Sequence, residues 1–418
     1  MLSLPALRAN PQLFIDRLAK RGKDYQPSVQ LVLDLDARIR QLQTETDNQQ
    51  AELKQHARSF HAAQNSATTL SWTKHQLNEL KAAREAKLAE LKQARESLDT
   101  LLYTLPNAPA AAVPIGLTPS DNEVVRTGGT LPTLPNPLPH WELLKLHEMV
   151  DFELGVKLTG AGFPVYSGQG ARLQRALISF FLDRATQSGY TEYQVPLLVN
   201  QTSVQATGQY PDKEGQMYRD EQDNLFLIPT AEVPLTNLYR DALLAEAQLP
   251  VKLTGYTPCF RREAGSYGSE VRGLNRLHQF DKVEIVQLVH PDRSYAILEE
   301  MCAYVETLLV ELELPYRVLR LCGGDMGFTS ALTYDLEVFS AGQQKWLEVS
   351  SVSNFETYQS NRLKLRYKDA AGKSQLLHTL NGSALALPRI VAALLENNQA
   401  SDPAAPFTYP AALQPYLA

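Results

Sequence analysis

The sequence contains few of the residues and patterns that mark common cofactor sites. It has only three cysteines in 418 residues, with no CxxC pair and no neighbouring histidine cluster of metal-binding spacing, which argues against a disulfide framework and a zinc site. The phosphate loop GxxxxGK is absent, and GAGFPV at residues 160–165 lacks the third glycine of GxGxxG. A nucleotide, if one binds, must therefore use a different architecture.

Long apolar runs and a strong excess of charge are also missing. No stretch approaches the roughly 18 apolar residues that a membrane span needs, and the N-terminus has no cationic start followed by an apolar run. Acidic side chains outnumber basic ones by 46 to 40, giving a net charge of −6, so bulk electrostatic attraction cannot be the whole basis of nucleic-acid binding. These absences predict a cytoplasmic protein in a reducing compartment, without membrane association.

A hairpin of two long helices is predicted between residues 31 and 103. Apolar side chains at intervals of three and four residues form a heptad seam in the first helix, at Val32, Leu35, Ile39 and Leu42. The polar stretch AAQNSATTLS at residues 62–71 predicts the turn, and a second helical run begins near Trp72. Two jumps of 11 residues in its leucine pattern predict a local change of heptad phase, from Leu77 to Leu88 and from Leu80 to Leu91.

The hairpin allows two interpretations. Heptads most often serve dimerisation, but two helices of one chain satisfy each other's seam and leave their outer faces free for a partner. Residues 31–103 contain ten basic and ten acidic side chains. Any contact with nucleic acid must therefore depend on placement and shape as well as on charge.

The chain divides into an N-terminal helical arm, a linker and one large domain. Prolines every few residues between 105 and 139, as in LPNAPAAAVPIG and LPTLPNPLP, predict a linker after the arm of residues 1–104. Residues 140–418 contain runs with strand character, among them YRVLRL and KWLEVSSVSNF. We expect this part to be an α+β domain in which helices flank an antiparallel β-sheet.

Residues 257–288 predict a strand, a polar glycine-containing loop and a returning strand. Strand alternation places Arg261 on one face with Cys259 and Glu263. It puts Phe280, Lys282 and Glu284 together on one face of the returning strand. One face of the sheet then holds a guanidinium, an aromatic ring and carboxylates, which suit phosphate, a base and a cation respectively. A solvated hairpin with alternating salt bridges is the alternative.

Residues 381–399, NGSALALPRIVAALLENNQ, predict a loop that becomes a helix near Pro388. Proline suits a first helical turn, and Arg389 lies in the same turn. A cation there opposes the helix macrodipole by roughly a few tenths of a kcal/mol. Its presence therefore predicts an anion at this helix end, where free backbone amides also favour phosphate. An arginine that extends to solvent or to a neighbouring carboxylate is the alternative.

Two shorter segments contribute further polar residues. Thr230 is a natural N-cap and Glu232 lies in the turn after it, so capping alone explains both. Glu348 is a carboxylate within an otherwise apolar or small-residue strand, which a metal–nucleotide partner would justify. Strand alternation places Glu348 with Ser350 and turns Ser351 to the opposite side, unless a bulge intervenes.

Taken together, these motifs resemble those of the bacterial-type seryl-tRNA synthetases, which are class II aminoacyl-tRNA synthetases. The resemblance covers nearly the whole chain, with the hairpin first and the three class motifs in order, at about residues 169–200, 257–288 and 381–399. It implies an enzyme that uses ATP and Mg²⁺ to activate L-serine and transfers the seryl group to tRNA(Ser), with tRNA(Sec) as a second candidate substrate. It also implies a homodimer built through motif 1 and an arm that binds tRNA.

The resemblance implies roles for individual residues. Arg261 and Arg389 would be the catalytic residues, on the α-phosphate and on the far phosphates of ATP. The serine site would comprise Thr230, Ala231, Glu232, Glu284, Asn381 and Ser383. The ATP site would comprise Arg261, Arg262, Glu263, Phe280, Glu348, Val349, Ser350, Ser351 and Arg389, with Glu348 and Ser351 also on the Mg²⁺.

Arg262, Ala384 and Pro388 depart from the usual residues of the family. Alternation turns Arg262 away from the pocket and proline fits a first helical turn, so we expect the chemistry to survive both changes. Two alternatives remain open. One is a related ligase that forms an aminoacyl-adenylate and charges a carrier protein, and the other is a non-catalytic tRNA-binding paralogue.

Overall fold

The computed structural model describes residues 1–63, 74–212, 215–263 and 272–418. This part of the chain forms two compact units, one of residues 1–19 and 23–106 and the other of residues 20–22 and 107–418. The turn predicted at residues 62–71 falls, beyond Ala63, outside the described residues.

The first unit is helical. Its helices are α1 (Leu4–Ala9), α2 (Pro11–Ala19), α3 (Gln26–Ala63) and α4 (Lys74–Thr104). The two long helices run antiparallel, because Arg38 of α3 pairs with Glu90 at 2.9 Å while Glu45, further along α3, meets Lys87 at 2.6 Å. At about 1.5 Å per residue, the 38 residues of α3 span about 57 Å. The predicted hairpin is confirmed.

The seam between α3 and α4 keeps one heptad phase throughout α4. Val32 and Leu42 are fully buried, as predicted, but Leu88 is 36% exposed. The seam positions of α4 that are buried or half-buried follow alternate steps of three and four residues, at Leu77, Leu80, Arg84, Lys87, Leu91, Ala94 and Leu98. The predicted phase change is therefore wrong. Arg84 and Lys87 occupy seam positions because their long aliphatic stems can cover apolar surface. Nζ of Lys87 pairs with Glu45 at 2.6 Å, whereas Nε of Arg84 is buried.

The second unit contains the remaining elements. Its helices are α5 (His140–Leu146), α6 (Phe152–Leu158), α7 (Gly168–Gln187), α8 (Gln201–Thr207), α9 (Glu232–Asn237), α10 (Ser294–Glu311), α11 (Tyr358–Leu363), α12 (Leu387–Asn397) and α13 (Gln414–Leu417). Its strands are β1 (Glu123–Gly128), β2 (Val150–Asp151), β3 (Val165–Tyr166), β4 (Thr191–Glu192), β5 (Leu198–Asn200), β6 (Arg219–Asp220), β7 (Leu225–Leu227), β8 (Leu243–Ala245), β9 (Val251–Phe260), β10 (Gln279–Val289), β11 (Tyr316–Arg320), β12 (Leu332–Ser340), β13 (Lys345–Asn354), β14 (Arg366–Lys368), β15 (Ser374–Leu376) and β16 (His378–Ala386).

An eight-stranded sheet is the centre of this unit. Its strand order is β1-β11-β12-β13-β16-β10-β9-β4, and its neighbours pair antiparallel except for β4 and β9. Helices α7, α10 and α12 pack against it and share its main apolar cluster with Val283 and Ile285 of β10. Glu284 lies between those two residues and so points to the opposite face. The predicted α+β class with an antiparallel sheet is confirmed.

The proline-rich segment at residues 105–139 was expected to be a linker, but from Asn107 onwards it belongs to the second unit. The side-chain amide of Asn107 donates to the carbonyls of Thr329 and Phe355 at 2.9 and 2.8 Å, and β1 pairs with β11 at the edge of the sheet. Prolines exclude a helix, but they allow an extended chain whose remaining backbone groups bond to neighbouring segments. The segment is packed structure rather than a spacer.

The loop expected at the start of residues 381–399 is also wrong, because residues 378–386 form β16, an inner strand between β10 and β13. Its small residues suit a crowded position rather than a loop. A Cβ on Gly382 would lie 3.1 Å from a methyl group of Val352 on β13, so glycine fits where the two strands approach closely. The helix near Pro388 is confirmed as α12, with Pro388 in its first turn.

Among the described helices, none combines the length and the apolar character that crossing a membrane requires.

Candidate active site

A buried acidic pocket lies on the face of β10 opposite the main core. We call Thr230, Glu232, Lys282 and Glu284 the carboxylate pocket. Across the sheet, Glu284 is paired with Ser383 of β16 and with Gly255 of β9. Strand alternation therefore predicted correctly that Phe280, Lys282 and Glu284 share a side of β10.

Lys282 and Thr230 contact the same carboxylate oxygen of Glu284. Its Oε2 atom is 2.6 Å from Nζ of Lys282 and accepts a hydrogen bond of 3.1 Å from Oγ1 of Thr230. The side chains of Lys282 and Glu284 are only 7% and 2% exposed. Burial raises the pKa of Glu284, while the Lys282 ammonium opposes that rise. With Oε2 occupied in this way, Oε1 is the atom of Glu284 left to contact a ligand.

Glu232 is held by a residue that the sequence did not single out. The amide nitrogen of Gln359 donates to Oε1 of Glu232 at 2.6 Å, and the amide oxygen of Gln359 accepts from Oγ1 of Thr379 at 2.7 Å, which fixes the orientation of the amide. Burial, with the neighbouring Glu284 as the second cause, raises the pKa of Glu232 to about 7. The pocket contains two carboxylates and only one lysine, so it can accept a further positive charge such as an ammonium group.

Thr230 has a different local role from the predicted one. The N-cap of α9 is Ala231, one residue later than expected, and Ala231 itself is fully buried. Oγ1 of Thr230 accepts from the backbone N–H of Glu232 at 3.2 Å and donates to Glu284. The hydroxyl therefore links the first turn of α9 to the carboxylate pocket.

Asn381 and Ser383 lie beside this pocket on β16. They are two residues apart and so share a face of the strand. Ser383 pairs with Glu284, whereas Asn381 pairs with Val286 of β10 and with Ser353 of β13. The structure thus brings Ser383 nearest to Glu284, with Asn381 one step further along the strand.

Arg261 and Phe280 form the start of a second cluster, next to the pocket. The guanidinium carbon of Arg261 is 5.3 Å from the centre of the Phe280 ring, and its Nε donates to the carbonyl of Pro229 at 3.3 Å. The charge of Arg261 also lowers the pKa of Glu232 and of Glu284, although burial and other neighbouring groups affect both pKa values more strongly. The charge of Arg261 therefore acts on the pocket. The predicted grouping of guanidinium, ring and carboxylates is present.

The two residues after Arg261 diverge. Arg262 donates from Nε to the carbonyl of Met217 at 3.1 Å and lies 4.8 Å from the centre of the Tyr218 ring, on a different set of partners from Arg261, as alternation predicted. Glu263 accepts from Nη1 of Arg276 at 3.0 Å. The residues that follow Glu263, 264–271, lie outside the described part of the chain.

Arg389 lies in the first turn of α12. Its Nε donates to the backbone carbonyl of Asn275 at 3.0 Å, and its Nη1 donates to that of Glu348 at 2.7 Å. The carboxylate of Glu348 is 3.7 Å from Nη1. The two carbonyls orient the guanidinium, while the helix end contributes partial positive charge.

A β-bulge decides which serine accompanies Glu348. Leu336 of β12 pairs with Ser350 while Glu337 pairs with Glu348, so Val349 is one residue more than β12 requires. Ser351 consequently lies on the side of Glu348, with its Oγ 3.4 Å from Oε1 of Glu348. The bulge that the sequence analysis named as a condition is present.

The other members of this strand face away from the site. Val349 packs in the main apolar cluster, and Oγ of Ser350 donates to the carbonyl of Ser383 at 2.6 Å. Their side chains therefore stabilise the sheet and its apolar core. Only their backbone groups remain for any contact with ATP.

Oxygen atoms near Glu348 suit a hard divalent cation. The sequence analysis missed Asp335, which pairs with Ser351 across β12 and β13 and whose buried Oδ1 has no hydrogen-bond partner among the described residues. Burial, and then the charge of Glu348, raises the pKa of Asp335. Within the described residues no group of three or more His, Cys, Asp or Glu could hold a metal, so phosphate oxygens would have to complete a Mg²⁺ site here.

An antiparallel sheet with an arginine just beyond the end of one inner strand, another in the first turn of a helix and buried carboxylates on the face opposite the main core agrees with the arrangement expected for a class II aminoacyl-tRNA synthetase core. Residues 214–398 match the family described as the tRNA synthetase class II core domain (G, H, P, S and T). Residues 1–109 match the family described as the seryl-tRNA synthetase N-terminal domain. The chain belongs to the seryl-tRNA synthetase family.

Relatives along the full length agree with this assignment. The chain is 48% identical to a serine–tRNA ligase of Salinibacter ruber over 100% of its own length and 98% of the relative, and 46% identical to one of Methylacidiphilum infernorum over 96% of each. A crystal structure of the seryl-tRNA synthetase from Pyrococcus horikoshii complexed with ATP superimposes with a TM-score of 0.94 at 31% identity, covering 100% of this chain and 98% of that one.

Proposed function

We propose that this protein activates L-serine with ATP and transfers the seryl group to tRNA(Ser). The observation that carries the proposal is the carboxylate pocket, which is buried and acidic and lies within the electrostatic influence of Arg261. An amino acid bound there would place its ammonium group on carboxylates. Its own carboxylate would then face Arg261 and the phosphate side of the site.

In the first step, a carboxylate oxygen of serine attacks the α-phosphorus of ATP. A bond forms between that oxygen and the phosphorus, the bond from the α-phosphorus to the bridging oxygen breaks, and pyrophosphate leaves. No proton needs to move at the reacting atoms. The protein therefore contributes positioning and neutralisation of charge, with Arg261 on the α-phosphate and Arg389 on the far phosphates.

The remaining contacts with ATP follow from the same arrangement. Phe280 offers a ring for the adenine to stack on, and Glu263, three residues beyond the end of β9, is assigned to the same adenine. Glu348 and Ser351 would hold Mg²⁺, which when bound neutralises phosphate charge. Arg262, Val349 and Ser350 would contribute at most through backbone groups, because their side chains are engaged elsewhere.

Selection of serine would depend on its hydroxyl group. Glu284 and Ser383 face each other across β10 and β16, and a site built to bond a hydroxyl rejects an analogue without one by several orders of magnitude. Alanine would leave these buried groups without a partner. Threonine would be excluded by lack of space for its methyl group, with Thr230, Ala231, Glu232 and Asn381 forming the rest of the site.

In the second step, a terminal hydroxyl of the tRNA attacks the carbonyl carbon of the seryl-adenylate, and AMP leaves. We assign residues 1–104 to tRNA binding and residues 140–418 to catalysis. The support is a helical arm with balanced charge, which suits recognition of a long variable arm by shape. The same arm would accept tRNA(Sec), which is the second candidate substrate.

We also propose that the enzyme acts as a homodimer in the cytoplasm. Large apolar side chains are exposed on α6, where Leu154, Val156 and Leu158 are 45%, 57% and 74% exposed, and on the strand of motif 1, at Leu197 and Leu198. Apolar groups exposed together mark interaction surfaces. A second copy of the chain would cover them, and the molecular mass in solution tests this.

An amino-acid panel in the ATP–pyrophosphate exchange assay tests the activity. We expect exchange with serine alone, with alanine and threonine at least about 100-fold weaker. Exchange that depends on another amino acid, or on none, contradicts the proposal. Charging of tRNA(Ser), tRNA(Sec) and a carrier protein then separates the proposed function from a carrier-protein ligase, and absence of any exchange would favour the non-catalytic paralogue.

A further inference from the structure

A buried histidine–glutamate pair lies outside the site described above. His140 is the first residue of α5 and Glu396 belongs to the last turn of α12. Both side chains are completely buried, and Nδ1 of His140 lies 2.7 Å from Oε1 of Glu396. The two residues are 256 positions apart, so the pair joins distant parts of the second unit.

A backbone amide fixes the tautomer of His140. The N–H of Leu274 donates to Nε2 at 2.9 Å, so Nε2 carries a lone pair rather than a hydrogen. Nδ1 must then carry the hydrogen and donate it to Glu396. If Nε2 also carried a hydrogen, that N–H group and the N–H of Leu274 would be two donors facing each other without an acceptor.

Glu396 is fixed as firmly as its partner. Oε1 also accepts from the backbone N–H of His140 at 2.8 Å and from the amide of Gln343 at 3.0 Å, while Oε2 accepts from the N–H of Gly342 at 3.0 Å and from Oγ of Ser340. Burial raises the pKa of Glu396, but the hydrogen bonds from His140 and Ser340 outweigh it and leave the pKa below its ordinary value. The carboxylate is an ionised anchor.

This anchor holds the returning end of motif 2. Gly273 has a φ of +68°, and a Cβ there would lie 2.3 Å from Nε2 of His140, so this position requires glycine. Arg272 lies 4.7 Å from the centre of the Trp141 ring. Asn275 donates from its amide to Oε1 of Gln343 at 2.9 Å. Arg272 and Leu274 thus contact α5, Gly273 lies against His140, and Asn275 contacts Gln343, which itself donates to Glu396.

The chain of contacts ends at Arg389. The carbonyl that orients Nε of this guanidinium belongs to Asn275, the residue after Leu274. A shift of residues 272–275 would therefore move the acceptor that sets the direction of Arg389. The carboxylate pocket, where serine is proposed to bind, is not part of this chain of contacts.

We propose that His140 is a positioning residue for ATP. Its Nε2 lone pair holds the returning end of motif 2 and, through the Asn275 carbonyl, aims Arg389 at the far phosphates. The proposal rests on the proposed function, because it assumes that ATP binds at Arg389. The plainer alternative is that the pair stabilises the fold and has no effect on either substrate.

Two substitutions separate these roles. In His140→Asn, the amide nitrogen takes the place of Nδ1 and keeps the bond to Glu396, but the acceptor for Leu274 is lost. In His140→Gln, the amide oxygen takes the place of Nε2 and keeps that acceptor. Each variant is measured for KM and kcat in serine-dependent pyrophosphate exchange, and for its thermal unfolding midpoint.

We expect H140N to raise the KM for ATP about tenfold, the effect of losing one buried hydrogen bond, with the KM for serine within about twofold of the wild type. H140Q should stay within about threefold for both substrates. Equal effects of the two variants on the KM for ATP, or a lower unfolding midpoint with both KM values unchanged, would overturn the proposal.

Gln343→Met separates His140 from the other contact to residues 272–275. It removes the link from Asn275 to Glu396 but leaves the bond from Leu274 to His140 in place. A KM for ATP within about threefold of the wild type supports the role of His140, whereas a rise of about tenfold, the effect of one lost buried hydrogen bond, would assign the positioning to Gln343 instead. Serine-dependent exchange by the wild type is measured first. Its absence would refute the proposed function, whereas normal wild-type exchange with unaltered KM values in H140N would refute only the role of His140.

Discussion

The helical arm and the sheet unit use charged residues in opposite ways. In the arm, ion pairs such as Arg38–Glu90 are 41% and 48% exposed, and such pairs contribute little to stability. In the sheet unit, Lys282, Glu284, His140 and Glu396 are almost wholly buried. The difference teaches that the sheet unit buries ionisable groups where ion pairs and hydrogen bonds satisfy them, both in the carboxylate pocket and in the His140–Glu396 pair outside it.

The largest effect is expected when the cation next to the buried pocket is removed. Arg261→Ala should lower serine-dependent pyrophosphate exchange by about 1,000-fold, because charge on the α-phosphate would lose its closest neutralising group. Binding of tRNA, measured by filter binding, should remain because the arm is unchanged. Arg262→Ala is the matched control, and its exchange should stay within about tenfold, because its guanidinium lies on Met217 and Tyr218. Near-normal exchange by R261A would end the assignment.

Deleting the arm tests the half of the comparison that concerns the arm. Deletion of residues 31–103 with a short glycine-rich closure should leave exchange within about threefold of the wild type, and should lower charging of tRNA(Ser) by about 100-fold or more, the loss of an extended recognition surface. Both activities are measured on the same preparation. Undiminished charging would show that the arm does not bind the tRNA.

A smaller effect should follow from the pH. Because burial raises the pKa of Glu232 to about 7, this group is mostly neutral at pH 6 and mostly ionised at pH 8. The ionised form accepts the ammonium of serine, so the KM for serine should fall about five- to tenfold as the pH rises through this window. Glu232→Gln should abolish the dependence while raising KM, and a KM for serine that rises with pH would contradict the assignment.

The same shift has a defined sign for stability. The pKa of Glu232 in the folded protein is above its ordinary value of 4.5, so the folded state binds the proton more tightly than the unfolded chain does. The contribution of this residue to folding is therefore present at low pH and is lost as the pH rises towards 7. Urea unfolding of the wild type and E232Q at pH 5 and pH 8 measures it.

The smallest effect concerns the seam of the arm. Leu91→Ala should destabilise the α3–α4 pair by about 2 kcal/mol, because Leu91 is 4% exposed and its truncation leaves a cavity. Leu88→Ala, one turn earlier, should cost less than about 0.5 kcal/mol. Hydrogen exchange of the α4 amides measures both, and equal protection losses would revive the predicted change of heptad phase.

Heptad periodicity and strand alternation are rules about neighbouring residues. The features that they predicted correctly depend on neighbouring residues alone. The hairpin followed from the spacing of Val32, Leu35, Ile39 and Leu42, and the shared face of Phe280 and Glu284 followed from strand parity. Arg389 was expected in a first helical turn because proline precedes it. These expectations match the structure because each depends on a few neighbouring residues.

The failures depend on contacts that the order of residues does not encode. Gln359 bonds Glu232 across 127 positions, and His140 reaches Glu396 across 256, so neither pair leaves a pattern in the sequence. Residues 381–399 were expected to begin as a loop, yet their first, small residues suit a crowded inner strand. Prolines between 105 and 139 predict a spacer because proline excludes helices, and that rule says little about packing.

The extra residue at Val349 has a consequence for recognising such sites elsewhere. An acid and a hydroxyl three positions apart look unrelated to anyone who scans strands for every second residue, and Ser350 would be chosen in place of Ser351. The correct choice requires counting residues on both paired strands, since the one-residue surplus of β13 over β12 shifts the side on which all later side chains of β13 emerge. Ligand pairs in other sheet proteins can be concealed by the same offset, and comparing the lengths of paired strands would reveal them.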